Sequence, residues 1–151
     1  MLDDTDRRIL RHMQADPDAS VATIAERAGL SHAPCWRRIG RMERDGVILG
    51  RRAIIDQRKL GFEVEVFLRI TLDKTARNAF DAFIAEARQI DGVQTIQTLL
   101  GRVDIRMDVI ARDLAHYQSI YQTQIMALPH LLDVEALMLV SELKNSRAVP
   151  V

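Results

Sequence analysis

Two arginines, Arg37 and Arg41, lie four residues apart, a spacing that places both side chains on one face of a helix. A guanidinium group on a helix surface suits hydrogen bonding to a phosphate or to the edge of a guanine base. The opposite face of the same segment is apolar at i, i+4 and i+7: Cys35, Ile39 and Met42. These spacings predict an amphipathic helix that packs through one side and presents cations on the other.

A second helix is predicted immediately before this one. Its apolar positions recur at helical spacing: Val21, Ile24, Ala25 and Ala28. Gly29 can adopt the left-handed conformation that ends a helix, and Ser31 can cap the helix that follows. Two short helices joined by a tight turn, with cations on the second, predict the helix-turn-helix that inserts into the major groove of DNA.

The DNA-contacting residues are predicted from the exposed side of the second helix and from the segment after it. The two arginines named above are the strongest candidates. Arg38 lies at the edge of the apolar stripe, so it either contacts a phosphate or pairs with an acid such as Glu26 or Glu43. Trp36 either contacts DNA or packs partly buried. The full predicted set is Ser31, His32, Ala33, Pro34, Trp36, Arg37, Arg38, Arg41, Arg51 and Arg52.

Residues 47–56 are predicted to form a wing beside the helix-turn-helix. Two short β-prone pieces flank Gly50, and Arg51 and Arg52 follow at the bend, where they can reach the DNA backbone or minor groove. A helix from about Asp4 to Gln14 precedes the helix-turn-helix and contributes to its core. The front of the chain therefore predicts a winged helix-turn-helix.

The second half of the chain changes from helical spacing to alternation. Alternating apolar residues predict a strand over residues 64–72, and helical spacing predicts a helix over residues 75–91. Further elements are predicted in the order strand, strand, helix, strand: residues 93–100, 103–109, 114–128 and 132–140. The order βαββαβ predicts a four-stranded antiparallel sheet with both helices on one face, the ferredoxin-like arrangement.

These elements divide the chain into three predicted parts of an α+β protein. The DNA-binding domain is assigned to residues 1–58 and the ferredoxin-like domain to residues 63–143, followed by a C-terminal tail at residues 144–151. The connector contains no proline and no long polar tract, which predicts a short and fairly stiff link.

No predicted helix remains to cover the second face of the sheet. Five apolar residues are expected on this face among charged ones: Phe67, Ile96, Leu100, Leu137 and Leu139. A face with so many apolar groups favours contact with another subunit, so we expect a homodimer. The alternative is a mixed face in water, held by cross-strand ion pairs.

Composition limits the class of protein. The chain has 21 basic and 21 acidic side chains, but residues 1–59 hold 12 basic against 9 acidic and residues 60–151 hold 9 against 12. The basic front half suits a polyanion such as DNA. Cys35 is the only cysteine, so we expect a core residue and a reducing compartment. We also expect no membrane span, no secretory signal, no metal and no cofactor, and therefore a cytoplasmic, nucleoid-associated protein.

Both halves resemble one family. The residues that carry the resemblance are Leu2-Asp3, Asp6, Ile9-Leu10, Leu30-Ser31, Pro34-Cys35, Arg38, Met42-Glu43, Gly46-Val47-Ile48, Gly50, Leu100 to Asp104, Ala127-Leu128-Pro129 and Leu143-Lys144. In this order they resemble the Lrp/AsnC (leucine-responsive, feast/famine) transcriptional regulators over nearly the whole chain. The resemblance implies a winged helix-turn-helix joined to a ferredoxin-like ligand-sensing domain. It also implies dimers through the sheet face, often octamers, and an amino acid or related small molecule as effector.

The resemblance also implies where the effector binds. A Gly-x-x-Asp turn and the final strand line the family's pocket between subunits, which corresponds here to Leu100, Gly101, Arg102, Asp104, Leu137 and Met138. We expect Asp104 to hold an ammonium group, and the alternative is that its carboxylate caps the turn at Gly101. Four residues depart from the family's usual types: Arg51, Leu100, Val103 and His130. Three of them lie in the effector half, which favours a larger or less polar ligand, or none.

The function predicted from these features is sequence-specific transcriptional regulation, with DNA binding or assembly modulated by an amino acid or related effector. The predicted partners are double-stranded DNA, further copies of the chain and the effector. A sirohaem-decarboxylase-like enzyme is one alternative, because such enzymes resemble the family. We expect no enzyme, since no acid/base pair or oriented nucleophile is apparent. A nucleoid-compacting protein that binds DNA without sequence preference is the other alternative.

Overall fold

The computed structural model describes residues 1–145 and 148–151. The chain folds as two compact units. One comprises residues 1–54 together with the described part of 144–151, and the other comprises residues 55–143.

Three helices form the first unit: α1 (Asp4–Ala15), α2 (Val21–Ala28) and α3 (His32–Arg44). Ser20 caps α2 by accepting a hydrogen bond from the Thr23 amide, and Gly29 ends it in the left-handed conformation, at φ 70°. The predicted apolar stripes meet in one core, which contains Ile9, Ile24, Ala25, Ala28, Cys35, Ile39 and Met42. Burial raises the pKa of the Cys35 thiol, which agrees with the core role predicted for it.

Two local predictions for this unit are wrong. Ser31 occupies the N-cap position of α3, but its side chain makes no capping hydrogen bond. Residues 47–56 contain no strand, and Leu49 and Ile54 are almost fully exposed. A β-prone segment forms a strand only where a second strand accepts its hydrogen bonds, and none pairs with this one.

The far C-terminal residues belong to the first unit. The side chain of Gln14 holds the backbone of Val149 through two hydrogen bonds. Its Nε2 donates to the Val149 carbonyl at 3.0 Å and its Oε1 accepts from the Val149 amide at 2.6 Å. The segment is therefore pinned to α1 at this point.

The second unit has the predicted element order. A 3₁₀ turn at Arg58–Leu60 leads to β1 (Val64–Leu72), α4 (Ala79–Ala87), β2 (Val93–Thr98), β3 (Ile105–Ala111), α5 (Leu114–Ile120), a π-helical turn (Tyr121–Ile125) and β4 (Leu131–Met138). The strands form one antiparallel sheet in the order β2-β3-β1-β4. This is the ferredoxin-like arrangement that the sequence predicts.

One face of the sheet packs on the helices. The alternating residues Val66, Leu68, Ile70 and Leu72 are buried together with Phe83, Ile105, Met107, Val109 and Ile125. Leu114, the first residue of α5, is half exposed.

The open face of the sheet differs from its prediction at two residues. The pairing register shifts between Val93 and Thr95, so that Ile96 lies opposite the buried Met107 and packs on the core side. A bulge inserts one residue and reverses the side on which later residues lie. Leu100 lies beyond the end of β2 and is fully exposed. Phe67, Leu137 and Leu139 have the register of the open face, as predicted.

Candidate nucleic-acid interface and effector region

The N-terminal half of α3 is open to solvent. His32, Ala33, Trp36 and Arg37 are exposed, and Pro34 is half buried. Trp36 is 62% exposed, so most of its surface is open to solvent within this unit. This side of the helix has the accessibility that base or phosphate contacts require.

Arg38 is bound to α1 by an ion-pair network. Its Nη1 atom lies 2.7 Å from Asp3 Oδ2 and 2.8 Å from Asp6 Oδ1. Of the two roles left open by the sequence, the ion pair is the one observed. Its acids come from α1, however, and not from Glu26 or Glu43.

Arg41 is held by the same network. Its Nη2 atom donates to Asp6 Oδ2, and the Asp6 side chain is completely buried. Arg41, which was predicted to contact DNA beside Arg37, therefore forms an ion pair with Asp6, and its contact with DNA stays a prediction. A buried carboxylate requires a charged partner, and two arginines of α3 supply it.

Asp3 completes the network from the N-cap of α1. Asp3 and Asp6 form a capping box, in which each side chain accepts from the other residue's amide. The hydrogen bond from the Asp6 amide and then that from Arg38 lower the pKa of Asp3 to about 2. The carboxylate is therefore stabilised in its charged form.

The segment after α3 presents two more cations. Arg51 and Arg52 are both exposed. Arg51 Nη1 donates to the Pro17 carbonyl oxygen at 3.2 Å, which draws its guanidinium toward the turn before α2. These arginines thus lie on an irregular loop and not on the β-ribbon that was expected.

Asp104 is a buried acceptor at the end of the sheet. Its Oδ2 atom accepts from the Leu72 amide at 2.9 Å, and its Oδ1 atom accepts from Lys74 Nζ at 2.9 Å. The Leu72 hydrogen bond and then Lys74 hold the pKa of this carboxyl below its ordinary value. Both carboxylate oxygens therefore already accept a hydrogen bond. The alternative role considered for Asp104 was capping of the Gly101 turn, and its side chain instead caps the end of β1.

The six residues predicted to bind an effector do not converge within one chain. Leu100, Gly101 and Arg102 are exposed in the turn between β2 and β3. Leu137 and Met138 pair with Phe67 and Val66, whereas Asp104 binds Leu72. Five residues of strand, roughly 17 Å, separate these positions along β1.

Apolar and charged groups alternate on the open face of the sheet. The Arg106 guanidinium lies 4.6 Å from the centre of the Phe67 ring, and Arg69 pairs with Glu135 at 3.2 Å. Leu137 is 42% exposed. The face therefore has the cross-strand ion pair of one alternative as well as the apolar residues of the other.

Three residues with a role in these sites were missed by sequence reasoning. Asp6 and Lys74 hold the buried networks, and their partners lie about thirty residues away, where no local spacing can reveal them. Arg44 lines a groove beside Trp36 and Arg37. Its signal was present, because residues 37 and 44 are seven apart and share one helix face.

Neither a membrane span nor a metal cluster occurs in the described residues. No helix there is long and apolar enough to cross a membrane. Across residues 1–145 and 148–151, no three or more His, Cys, Asp or Glu side chains are grouped so that they could hold a metal ion.

A three-helix unit with an open recognition helix, followed by a ferredoxin-like unit, defines a helix-turn-helix DNA-binding protein with a second regulatory domain. Residues 2–48 match the family model for a winged helix-turn-helix DNA-binding domain, and residues 65–149 match that for the Lrp/AsnC ligand binding domain. The chain belongs to the Lrp/AsnC family of transcriptional regulators, as its motifs indicated.

Individual relatives agree with this assignment. The chain is 32% identical to the glutamate uptake regulatory protein of Zymomonas mobilis over 149 residues, 99% of this chain and 90% of that protein. An AsnC family regulator from Agrobacterium tumefaciens is 33% identical, with a TM-score of 0.89 over 99% of this chain and 97% of that one. A Neisseria meningitidis regulator in complex with L-Met has the same fold, with a TM-score of 0.92 at 22% identity over 99% and 97% of the two chains.

Proposed function

We propose that this regulator recognises its operator through the N-terminal half and the Arg37 side of α3. The observation that carries the proposal is the contrast on this helix between arginines tied to Asp3 and Asp6 and an Arg37 that pairs with no described residue. Ser31, His32, Ala33, Pro34 and Trp36 contact the same DNA segment. Arg51 and Arg52 contact its backbone from the loop.

A mobility-shift assay with the DNA beside the protein's own gene tests this assignment. Arg37→Ala is expected to weaken specific binding by on the order of 10-fold to 100-fold, because a lost base or phosphate contact costs about 1–3 kcal/mol. Arg77→Ala removes an exposed arginine of the second unit and serves as the matched control. Equal binding by wild type and Arg37→Ala would contradict the assignment.

We further propose that an amino acid or related molecule binds at the Gly101 turn. Leu100, Gly101 and Arg102 offer exposed backbone and side-chain groups, and the buried Asp104 follows them in sequence. The L-Met named with the Neisseria structure is an amino acid of the kind proposed, with an apolar side chain. Leu137 and Met138 of β4 pair with the part of β1 that is distant from Asp104. Their participation in effector binding therefore requires a pocket completed by a second subunit.

Calorimetry with a panel of amino acids tests the effector proposal. Heat is expected from an apolar or aromatic amino acid, and Gly101→Val is expected to abolish it by filling the space beside the turn. A Cβ atom at Gly101 meets no atom within 4 Å, so the backbone there has room for a side chain. Absence of heat from every amino acid would leave the regulator without this effector.

The open sheet face is proposed to form a homodimer, with four dimers in a larger ring. Phe67, Leu137 and Leu139 supply its apolar part, and Arg69–Glu135 supplies polar groups at the same face. Light scattering after size exclusion tests it. Leu137→Asp is expected to give monomers. Leu114→Asp, at a half-exposed leucine on α5, is expected to leave the assembly unchanged. Dimers in both variants would reject this face.

The proposed output is regulatory and not catalytic, and it is exerted on DNA in the cytoplasm. The relatives described above are regulators by name, which favours this output over a decarboxylase. A nucleoid-compacting role is separated from it by competition: an excess of random duplex is expected to leave the operator complex in place. Equal displacement by operator and random DNA would support the architectural alternative.

A further inference from the structure

A groove of about 480 Å³ lies against the C-terminal half of α3. Three guanidinium groups line it, those of Arg37, Arg44 and Arg51, together with the exposed indole of Trp36. Glu43 is the one carboxylate that lines it, so the groove keeps two net positive charges. We call this feature the arginine groove, and all of its residues belong to the first unit.

The cations of the arginine groove are available for a ligand. Arg37 and Arg44 form no ion pair with any residue in the described parts of the chain, and Arg51 donates to one backbone carbonyl. This separates them from Arg38 and Arg41, whose charges are neutralised by Asp3 and Asp6. An unpaired guanidinium group keeps its full capacity for bidentate hydrogen bonds to phosphate.

Gly40 shapes the floor of the groove. A Cβ atom at this position would lie 3.4 Å from Arg44 Nη1, so the Arg44 guanidinium folds back over the glycine. Arg44 is thereby placed on the same stretch of helix surface as Arg37, seven residues earlier.

The N-terminus of α2 borders the arginine groove. Val21, the first residue of α2, lines the groove. The first amides of a helix have no acceptor within the helix and carry the positive end of its dipole. Ser20 caps the Thr23 amide and leaves those of residues 21 and 22 uncapped. This arrangement favours an anion.

We infer that the arginine groove is a seat for phosphate groups of the DNA backbone and that Arg44 is a DNA-binding residue. The inference rests on the proposed function and deepens it, because it adds a phosphate-neutralising site beside the residues that read bases. Arg51 lines the same groove and adds a further cation to this site. The ligand chemistry is a phosphodiester, and the groove reads charge and not sequence.

The dependence of affinity on salt tests the inference. Binding to operator and to a random duplex of equal length is measured between 50 and 200 mM salt for wild type, Arg44→Gln, Arg51→Gln and the double variant, with Arg77→Gln as the charge-matched control. Each lost phosphate contact is expected to reduce the slope of log K against log salt by about 0.9. Both duplexes should weaken alike, so that the ratio of their affinities stays constant.

The possible outcomes distinguish a failure of the proposed phosphate site from a failure of the proposed regulatory function. A changed affinity ratio with an unchanged slope would show that Arg44 reads bases, and unchanged affinity and slope would show that it does not touch DNA. Either result would overturn the seat and leave regulation intact. If inorganic phosphate or pyrophosphate stabilises wild type more than Arg44→Gln while DNA affinity is equal, the groove takes a free anion and the DNA assignment is wrong. Failure of wild type to bind any duplex would instead remove the proposed function.

Discussion

Neighbouring arginines of α3 serve opposite purposes. Arg38 and Arg41 neutralise a completely buried Asp6, and this ion pairing holds α3 to α1. Arg37 and Arg44 line an open groove without an ion pair to any described residue. The partner of an arginine, and not its position on the helix, therefore decides whether it stabilises the fold or is free for DNA.

The largest expected effect comes from replacing each pair of arginines by alanine in matched double variants. Arg38→Ala with Arg41→Ala leaves Asp6 buried without a cation, which is expected to cost about 3–5 kcal/mol of unfolding free energy. Arg37→Ala with Arg44→Ala is expected to change stability by less than about 0.5 kcal/mol and to remove DNA binding. Urea unfolding followed by circular dichroism measures the first quantity. Equal destabilisation by the two double variants would contradict the distinction between structural and DNA-binding arginines.

The second unit extends the comparison to another buried acid. Asp104→Ala leaves the Leu72 amide without its acceptor and is expected to cost about 1–3 kcal/mol. Asp133→Ala, an exposed residue of β4, is the control and is expected to be neutral. Thermal unfolding of both variants is the measurement. A neutral Asp104→Ala would show that this carboxylate is not structural and would return it to the effector proposal.

Gly40→Ala tests the arginine groove with a substitution that is expected to raise the stability of the protein. Alanine is favoured over glycine within a helix by about 1 kcal/mol, so the variant is expected to be more stable. The added methyl group lies against Arg44 Nη1 and is expected to reduce DNA affinity modestly. Unfolding and salt titration of one preparation give both values. Higher stability with unchanged DNA affinity would separate Gly40 from the arginine groove.

The smallest expected effect is the dependence of stability on pH that the ion pair of Asp3 with Arg38 causes. The pKa of Asp3 is about 2 in the folded protein against an ordinary 3.8, so its stabilising contribution is complete above about pH 4. That contribution is lost as the pH falls from about 4 toward 2, because protonation removes the acceptor of Arg38. Asp3→Asn is expected to flatten the unfolding profile in this range. A profile parallel to that of wild type would exclude Asp3 as the titrating group.

Periodicity predicted the elements of the fold, whereas it could not predict partners. The stripe of Cys35, Ile39 and Met42 and the left-handed Gly29 are local features, and each was predicted from neighbours in sequence. The Asp6–Arg41 pair spans 35 residues, and two helices must pack before the two groups meet. Arg41 was therefore assigned to DNA on spacing alone.

A single bulge explains the misassigned face of β2. Alternation read through Val93 places Ile96 on the open side, and one inserted residue moves it to the core. The loop after α3 shows a related limit, since β-prone composition does not provide a pairing partner. The candidate effector residues were grouped by resemblance, and the register of β4 on β1 separates them within one chain.

The hydrogen bonds between Gln14 and Val149 have a consequence for protein engineering. Because the segment after residue 143 returns to α1, the DNA-binding unit is discontinuous in sequence and the ferredoxin-like unit is an insertion within it. A truncation after Leu143 would thus remove part of the DNA-binding unit and not an unrelated extension. A fusion partner or affinity tag attached after Val149 would be joined to the DNA-binding unit. Any disturbance that it causes is therefore expected first in DNA binding.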